Sequence, residues 1–120
     1  MIPLYEAKAE LFRTLSHPVR IRVLELLGER PMPVRDLLSG INIEASSLSQ
    51  QLAVLRRAGI VTSTRAGGTV SYALAGPDVA DLLHAARRFL AHLLTDQHQL
   101  LDALRHDPAQ AHQPAATVTT

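Results

Sequence analysis

Between Glu44 and Leu74 the hydrophobic period of the chain switches from helical to strand-like across a single glycine, and this order constrains the fold more than any other feature. Laid on a wheel at about 100° per residue, the stretch EASSLSQQLAVLRRA puts Ala45, Leu48, Leu52 and Leu55 on one face, which predicts a helix turned toward a core. The opposite face is centred on Gln50, with Ser46 and Arg57 within about 40° of it and Ala53 and Val54 beside them. That face is polar, short-chained and nearly uncharged. Gly59 ends the helix, IVTSTR reads as a strand rich in β-branched residues, Gly67-Gly68 supplies a tight turn, and TVSYAL returns as a second strand. A two-stranded hairpin is expected directly after the helix.

Upstream, residues 3–15 place Leu4, Leu11, Phe12 and Leu15 at helical spacing, with Pro3 suited to a first turn. In Ser16-His17-Pro18 either Ser or His can cap, and Pro18 opens a second helix ending near Gly28, with Ile21, Leu24 and Leu27 as its inward stripe. Pro31 and Pro33 bracket a turn, and VRDLLSG is a brief third helix closed by Gly40. After Gly76-Pro77 the longest helical pattern runs from Asp78 to about His106. Its positions Val79, Leu83, Ala86, Leu90, Leu93, Gln97, Leu100 and Leu104 alternate steps of four and three, the repeat of a helix packed along a partner helix. Residues 1–106 are expected to form one domain. Residues 107–120, with two Pro and no periodic apolar positions, are expected to be a disordered tail.

Composition narrows what such a chain can do. Its 120 residues are 47% hydrophobic but include only two Phe, two Tyr and no Trp, so the core should be aliphatic. Aromatic platforms for stacking single-stranded bases are scarce, which favours a duplex over a single strand as any nucleic-acid partner. Without cysteine there is no disulfide, thiol redox sensor, Cys-zinc site or Cys nucleophile. No leader or apolar run of bilayer-spanning length is seen, so no membrane association and a cytoplasmic location are expected. The formal net charge of +1 gives no global bias. Its distribution does: between Pro33 and Leu74, Arg35, Arg56, Arg57 and Arg65 stand against Asp36 and Glu44.

Three helices, a polar-faced helix and a Gly-turned hairpin are the parts of a winged helix-turn-helix, mainly α with a two-stranded β-wing. Gln makes paired hydrogen bonds to an adenine edge, Ser bonds phosphate or base, and Ala lets the backbone approach a thymine methyl. Arg65 near the hairpin tip, with Thr64 and Thr69, is placed to meet a phosphate or the flanking minor groove. The stretches LFRTLSHPVRIRVLELL, SSLSQQLAVLRRAGIV and RAGGTVSYAL, covering roughly residues 10–74, resemble the bacterial arsenic-repressor-like (ArsR/SmtB) family of metal-sensing regulators. The resemblance implies a dimer built on the terminal helices and major-groove contacts from Ser46, Ser47, Ser49, Gln50 and Gln51. The family commonly has His in place of Gln51, so operator preference here should differ. Gln51 also lies on the flank of the wheel, which makes Gln50 the stronger candidate for base reading.

The resemblance supports metal sensing poorly. One family site uses Cys-x-Cys in the third helix, where this chain has PVRDLL. Another uses four donors on the last helix, where this chain has Gly76, Asp78, Phe89 and His92, and only Asp78 and His92 are ligand types. Within one helix His84 and His92 are about 12 Å apart along the axis and His92 and His98 about 9 Å apart, too far to share an ion. Asp81, Asp96 and Asp102 lie at helical spacing from His84, His92 and His98, as ordinary exposed pairs would. An intersubunit Ni²⁺ or Zn²⁺ site drawing on Asp78, Asp81, His84 or His92 stays open as a rival reading, as does a small organic effector. His17 reads as part of the interhelical turn. No phosphate loop, paired carboxylate or nucleophile elbow points to an enzyme. The expectation is therefore a sequence-specific duplex-DNA-binding regulator, a repressor acting as a homodimer. Leu4, Leu11, Val79, Leu83, Ala86, Leu90 and Leu93 lie at its seam, and Ser46, Ser47, Ser49, Gln50, Gln51, Arg57, Arg65 and Thr69 face DNA. The alternative is a protein-interaction module serving a partner regulator.

Overall fold

The computed structural model describes residues 1–106. The elements follow in the order α1 (Leu4–Leu15), α2 (Pro18–Leu27), β1 (Met32–Pro33), α3 (Val34–Ser39), α4 (Ala45–Arg57), β2 (Val61–Ala66), β3 (Thr69–Leu74) and α5 (Asp78–His106). The tail expected at 107–120 lies outside the described residues. The chain divides into two units, Met1–Asp81 and Leu82–Thr120, so α5 starts in the first and continues through the described part of the second.

The core of the first unit is aliphatic, as the composition requires. Leu15 enters it from α1, Val23, Leu24, Leu26 and Leu27 from α2, Leu37 from α3, Leu48, Leu52 and Leu55 from α4, and Ile60 and Val61 from the start of the wing. Two expectations about it are corrected. Ile21 is only half-buried, while Val23 and Leu26 are buried, because α2 packs against both α4 and β3 and a single narrow stripe cannot serve two neighbours. Ala45 is exposed, since it starts α4 a turn short of Leu48, where the core begins. Helix α2 begins on His17, whose Nδ1 accepts from the Val19 N–H at 3.2 Å, and Pro18 follows at the first helical position, where its missing N–H costs nothing.

The sheet has three strands rather than the expected two, in the order β1-β3-β2, all antiparallel. Met32 pairs with Tyr72 and Pro33 with Ser71. Two residues are too few to carry a period of two, and Pro33 is tolerated because β1 is an edge strand that needs no further donor.

Two helices have little core of their own. Every residue of α1 from Leu4 to Arg13 is exposed, and only Leu15 is buried. None of the 29 residues of α5 is buried.

Candidate nucleic-acid interface

The turn from α3 to α4 is fixed by a close approach. A Cβ on Gly40 would lie 2.8 Å from Leu26 Cδ1, so a larger residue here would have to push the Leu26 side chain aside where the turn rests on α2. Arg22 Nε donates to the Gly40 carbonyl at 3.4 Å from the α2 side. Helix α4 then commits one face to the core through Leu48, Leu52 and Leu55, none more than 1% exposed. Its far end closes in a Schellman motif. Gly59 takes φ +77°, its N–H donates to the Arg56 carbonyl, and the Ile60 N–H donates to the Leu55 carbonyl, both at 3.0 Å. The buried Leu55 and Ile60 supply the hydrophobic pair of that motif. A helix anchored along one face and at its C-terminus presents the other face rigidly.

That outer face carries Ser46, Ser47, Ser49 and Gln50, all exposed, and Arg57, also exposed. The polar side chains of α4 that bond within the described residues are different ones. Arg56 Nη1 donates to Ser63 Oγ at 3.4 Å and ties the helix end to β2. Gln51 is half-buried, and its Oε1 accepts from Arg20 Nε at 2.7 Å. The same guanidinium donates through Nη1 to the Thr14 carbonyl at 3.0 Å. Gln51 therefore differs from Gln50 in having its acceptor already engaged.

No motif of the sequence marks Arg20, although a signal for it exists. It stands four residues before Leu24 and seven before Leu27, on the inward repeat of α2, and a cation at such a position must find acceptors.

The wing turns on Gly67 (φ +57°) and Gly68 (φ +82°) between the paired residues Ala66 and Thr69, the two-residue turn with both centres left-handed. Arg65, Thr64 and Thr69 are exposed beside it. By the period of two along β2, Arg65 shares a face with Ser63, the residue that meets Arg56 of α4, and with buried Val61. The tip arginine thus stands on the side of the strand turned toward α4. Arg35 is drawn off by Asp36, at 3.8 Å, so of the arginines between Pro33 and Leu74 those left for an anionic partner are Arg56, Arg57 and Arg65, none of which has a carboxylate within ion-pair distance among the described residues.

The other expected sites divide. Asp78, Asp81, His84 and His92 are exposed, and among the described residues no three His, Asp or Glu lie together so as to hold a metal ion. Among the described residues, none of the His–Asp pairs expected along α5 comes within ion-pair distance. Asp102 pairs with Arg105 instead, at 3.8 Å. Of the seam residues, Leu4, Leu11, Ala86 and Leu90 are exposed, and Val79, Leu83 and Leu93 are half-buried. No helix among the described residues is long and apolar enough to cross a membrane.

A helix-turn-helix whose second helix is anchored on one face and polar on the other, followed by a Gly-turned wing bearing arginine, defines a winged helix-turn-helix DNA-binding protein. Comparison with known proteins agrees. A family model described as a helix-turn-helix domain matches residues 15–64. The HTH-type transcriptional regulator Rv0081 of Mycobacterium tuberculosis is 54% identical over 104 residues, covering 86% of this chain and 91% of the relative. Its crystal structure superposes with a TM-score of 0.73 over 80% of this chain and 97% of that one. The regulator NmtR of the same organism is 40% identical over 75% of this chain and 78% of its own. The transcriptional repressor BigR from Xylella fastidiosa is 38% identical in structure comparison, with a TM-score of 0.67 over 71% of this chain and 87% of that one. The chain belongs to the ArsR/SmtB family of winged helix-turn-helix transcription regulators, and it is a DNA-binding regulator, not an enzyme.

Proposed function

We propose that the chain is a cytoplasmic homodimeric repressor that sets α4 of each protomer into successive major grooves of an imperfectly palindromic operator, with half-site centres about 34 Å apart or a multiple of that. The observation that carries this reading is the outer face of α4. Ser46, Ser47, Ser49 and Gln50 are exposed and uncharged, on a helix whose inner face is fully buried. A merely solvated helix face is ordinarily dressed with Lys, Glu and Arg, whereas short hydroxyls and an amide suit hydrogen bonding to base edges. The dimer is supported by unpartnered apolar surface on both terminal helices. Leu4 is 70% exposed, Phe12 55% and Leu90 46%. A 12-residue helix with one buried residue is marginal in water by itself and calls for cover. The repressors among the relatives support occupancy of a promoter as the mode of action.

Selection of bound fragments from random genomic DNA tests this directly. The expected yield is a palindromic motif, and a yield that changes between chelator and added Ni²⁺ or Zn²⁺ would favour the reading in which a metal bound between subunits is the effector. No enriched motif, together with a co-purifying protein, would favour the interaction-module reading instead. Arg65→Ala is expected to weaken binding to selected and random duplexes alike and to reduce the slope of log affinity against log salt by about one unit. An effect confined to the selected motif would contradict a phosphate role for Arg65.

A further inference from the structure

We propose that Arg20 is a positioning residue for operator specificity: it holds the Gln51 oxygen on the α2 side so that the NH₂ end of the amide is the one offered to DNA. The inference rests on the reading that α4 enters the major groove. A guanidinium has five donors and no acceptor, so the 2.7 Å contact from Arg20 Nε fixes which end of the Gln51 amide is the oxygen. The amide cannot be flipped without setting N–H against N–H. Arg20 is itself held at a second point, by the Thr14 carbonyl at 3.0 Å, and among the described residues it has no carboxylate within ion-pair distance to draw it away. Thr14 lies at the end of α1 and Gln51 in the middle of α4, so one side chain from α2 fixes an amide on the recognition helix against a different helix.

The chemical consequence concerns purines. An amide free to turn presents a donor and an acceptor side by side, which matches adenine N7 and N6. An amide whose oxygen is committed to Arg20 turns its NH₂ to the groove, and the purine edge with two acceptors is guanine, at N7 and O6. Gln50, exposed and without a protein partner among the described residues, keeps the adenine pairing. Two adjacent glutamines on one helix thereby acquire different base preferences, the difference being set by a residue outside the helix.

The test is selection from a randomised duplex library with the full chain, comparing wild type with Arg20→Ala, Gln51→Glu, Gln51→Ala, the double variant Arg20→Ala/Gln51→Ala and Gln50→Ala. The wild type is expected to prefer guanine over adenine at one position per half-site. Arg20→Ala should reduce that preference about tenfold at this position and leave the others unchanged. Gln51→Glu keeps an acceptor for Arg20 but loses the donors, so the preference should move to cytosine, whose N4 donates. On the Gln51→Ala background, Arg20→Ala should add nothing. The proposal is overturned if folded Arg20→Ala keeps the wild-type ratio, loses preference evenly at every position, or acts in full on the Gln51→Ala background. Should Arg20→Ala fail to fold, Gln51→Glu decides, and an unchanged guanine preference there overturns it. If no variant, Gln50→Ala included, changes preference at any position, the groove placement of α4 fails and this inference with it.

Discussion

Replacing Leu48 by alanine is expected to lower stability by about 2–5 kcal/mol, a large part of the 5–15 kcal/mol that holds a domain of this size. Leu48 is fully buried and is the first core residue of α4, so the cavity opens beneath the exposed serines. In thermal unfolding the midpoint should fall by roughly 4–8 °C for each kcal/mol, about 10 °C or more in all. DNA binding should weaken at temperatures where the variant is still folded, because the anchoring of the recognition helix is what is loosened. A melting point within about 2 °C of wild type, well inside the shift expected for one lost kcal/mol, would show that α4 is not held by this face.

Leu90→Glu is the second large effect. Leu90 lies on the heptad stripe of α5 with Leu83 and Leu93, is 46% exposed in one chain, and in a two-fold pairing places two carboxylates in one apolar seam. Sedimentation should find a monomer at micromolar concentration. Operator affinity should fall about a hundredfold or more, because the second half-site contact ceases to be intramolecular. A Leu90→Glu protein that sediments as a dimer would remove this stripe from the interface.

What the sequence made readable follows the strength of its local signals. Helix α4 and the wing combine a full helical period, a left-handed glycine stop at Gly59 and the Gly67-Gly68 turn, and they appear as expected. Strand β1 does not announce itself, because two residues joined to β3 by long-range pairing have no period to read. Ala45 lies on the core side of the wheel yet is exposed, since a wheel cannot tell where along its axis the core stops. The sequence offers Ser16 and His17 as caps of α2, and only the geometry of Nδ1 against the Val19 N–H selects His17. Within the interface, exposure separates Gln50 from Gln51 as the wheel suggested, but the Arg20 contact spans 31 residues and no local pattern contains it. The stripe on α5 is visible as a repeat, but a repeat in one chain does not name what packs on it.

The most direct measurement of base reading by α4 is the ratio of affinities for the selected operator and for random duplex, taken at one fixed salt concentration for wild type and Gln50→Ala. Truncating an exposed side chain should leave the melting point unchanged. The ratio should fall about tenfold, almost entirely through weaker operator binding, since a lost base contact of about 1–3 kcal/mol has no counterpart on random DNA. Equal loss on both duplexes, or no loss on either, would contradict base reading by this helix face.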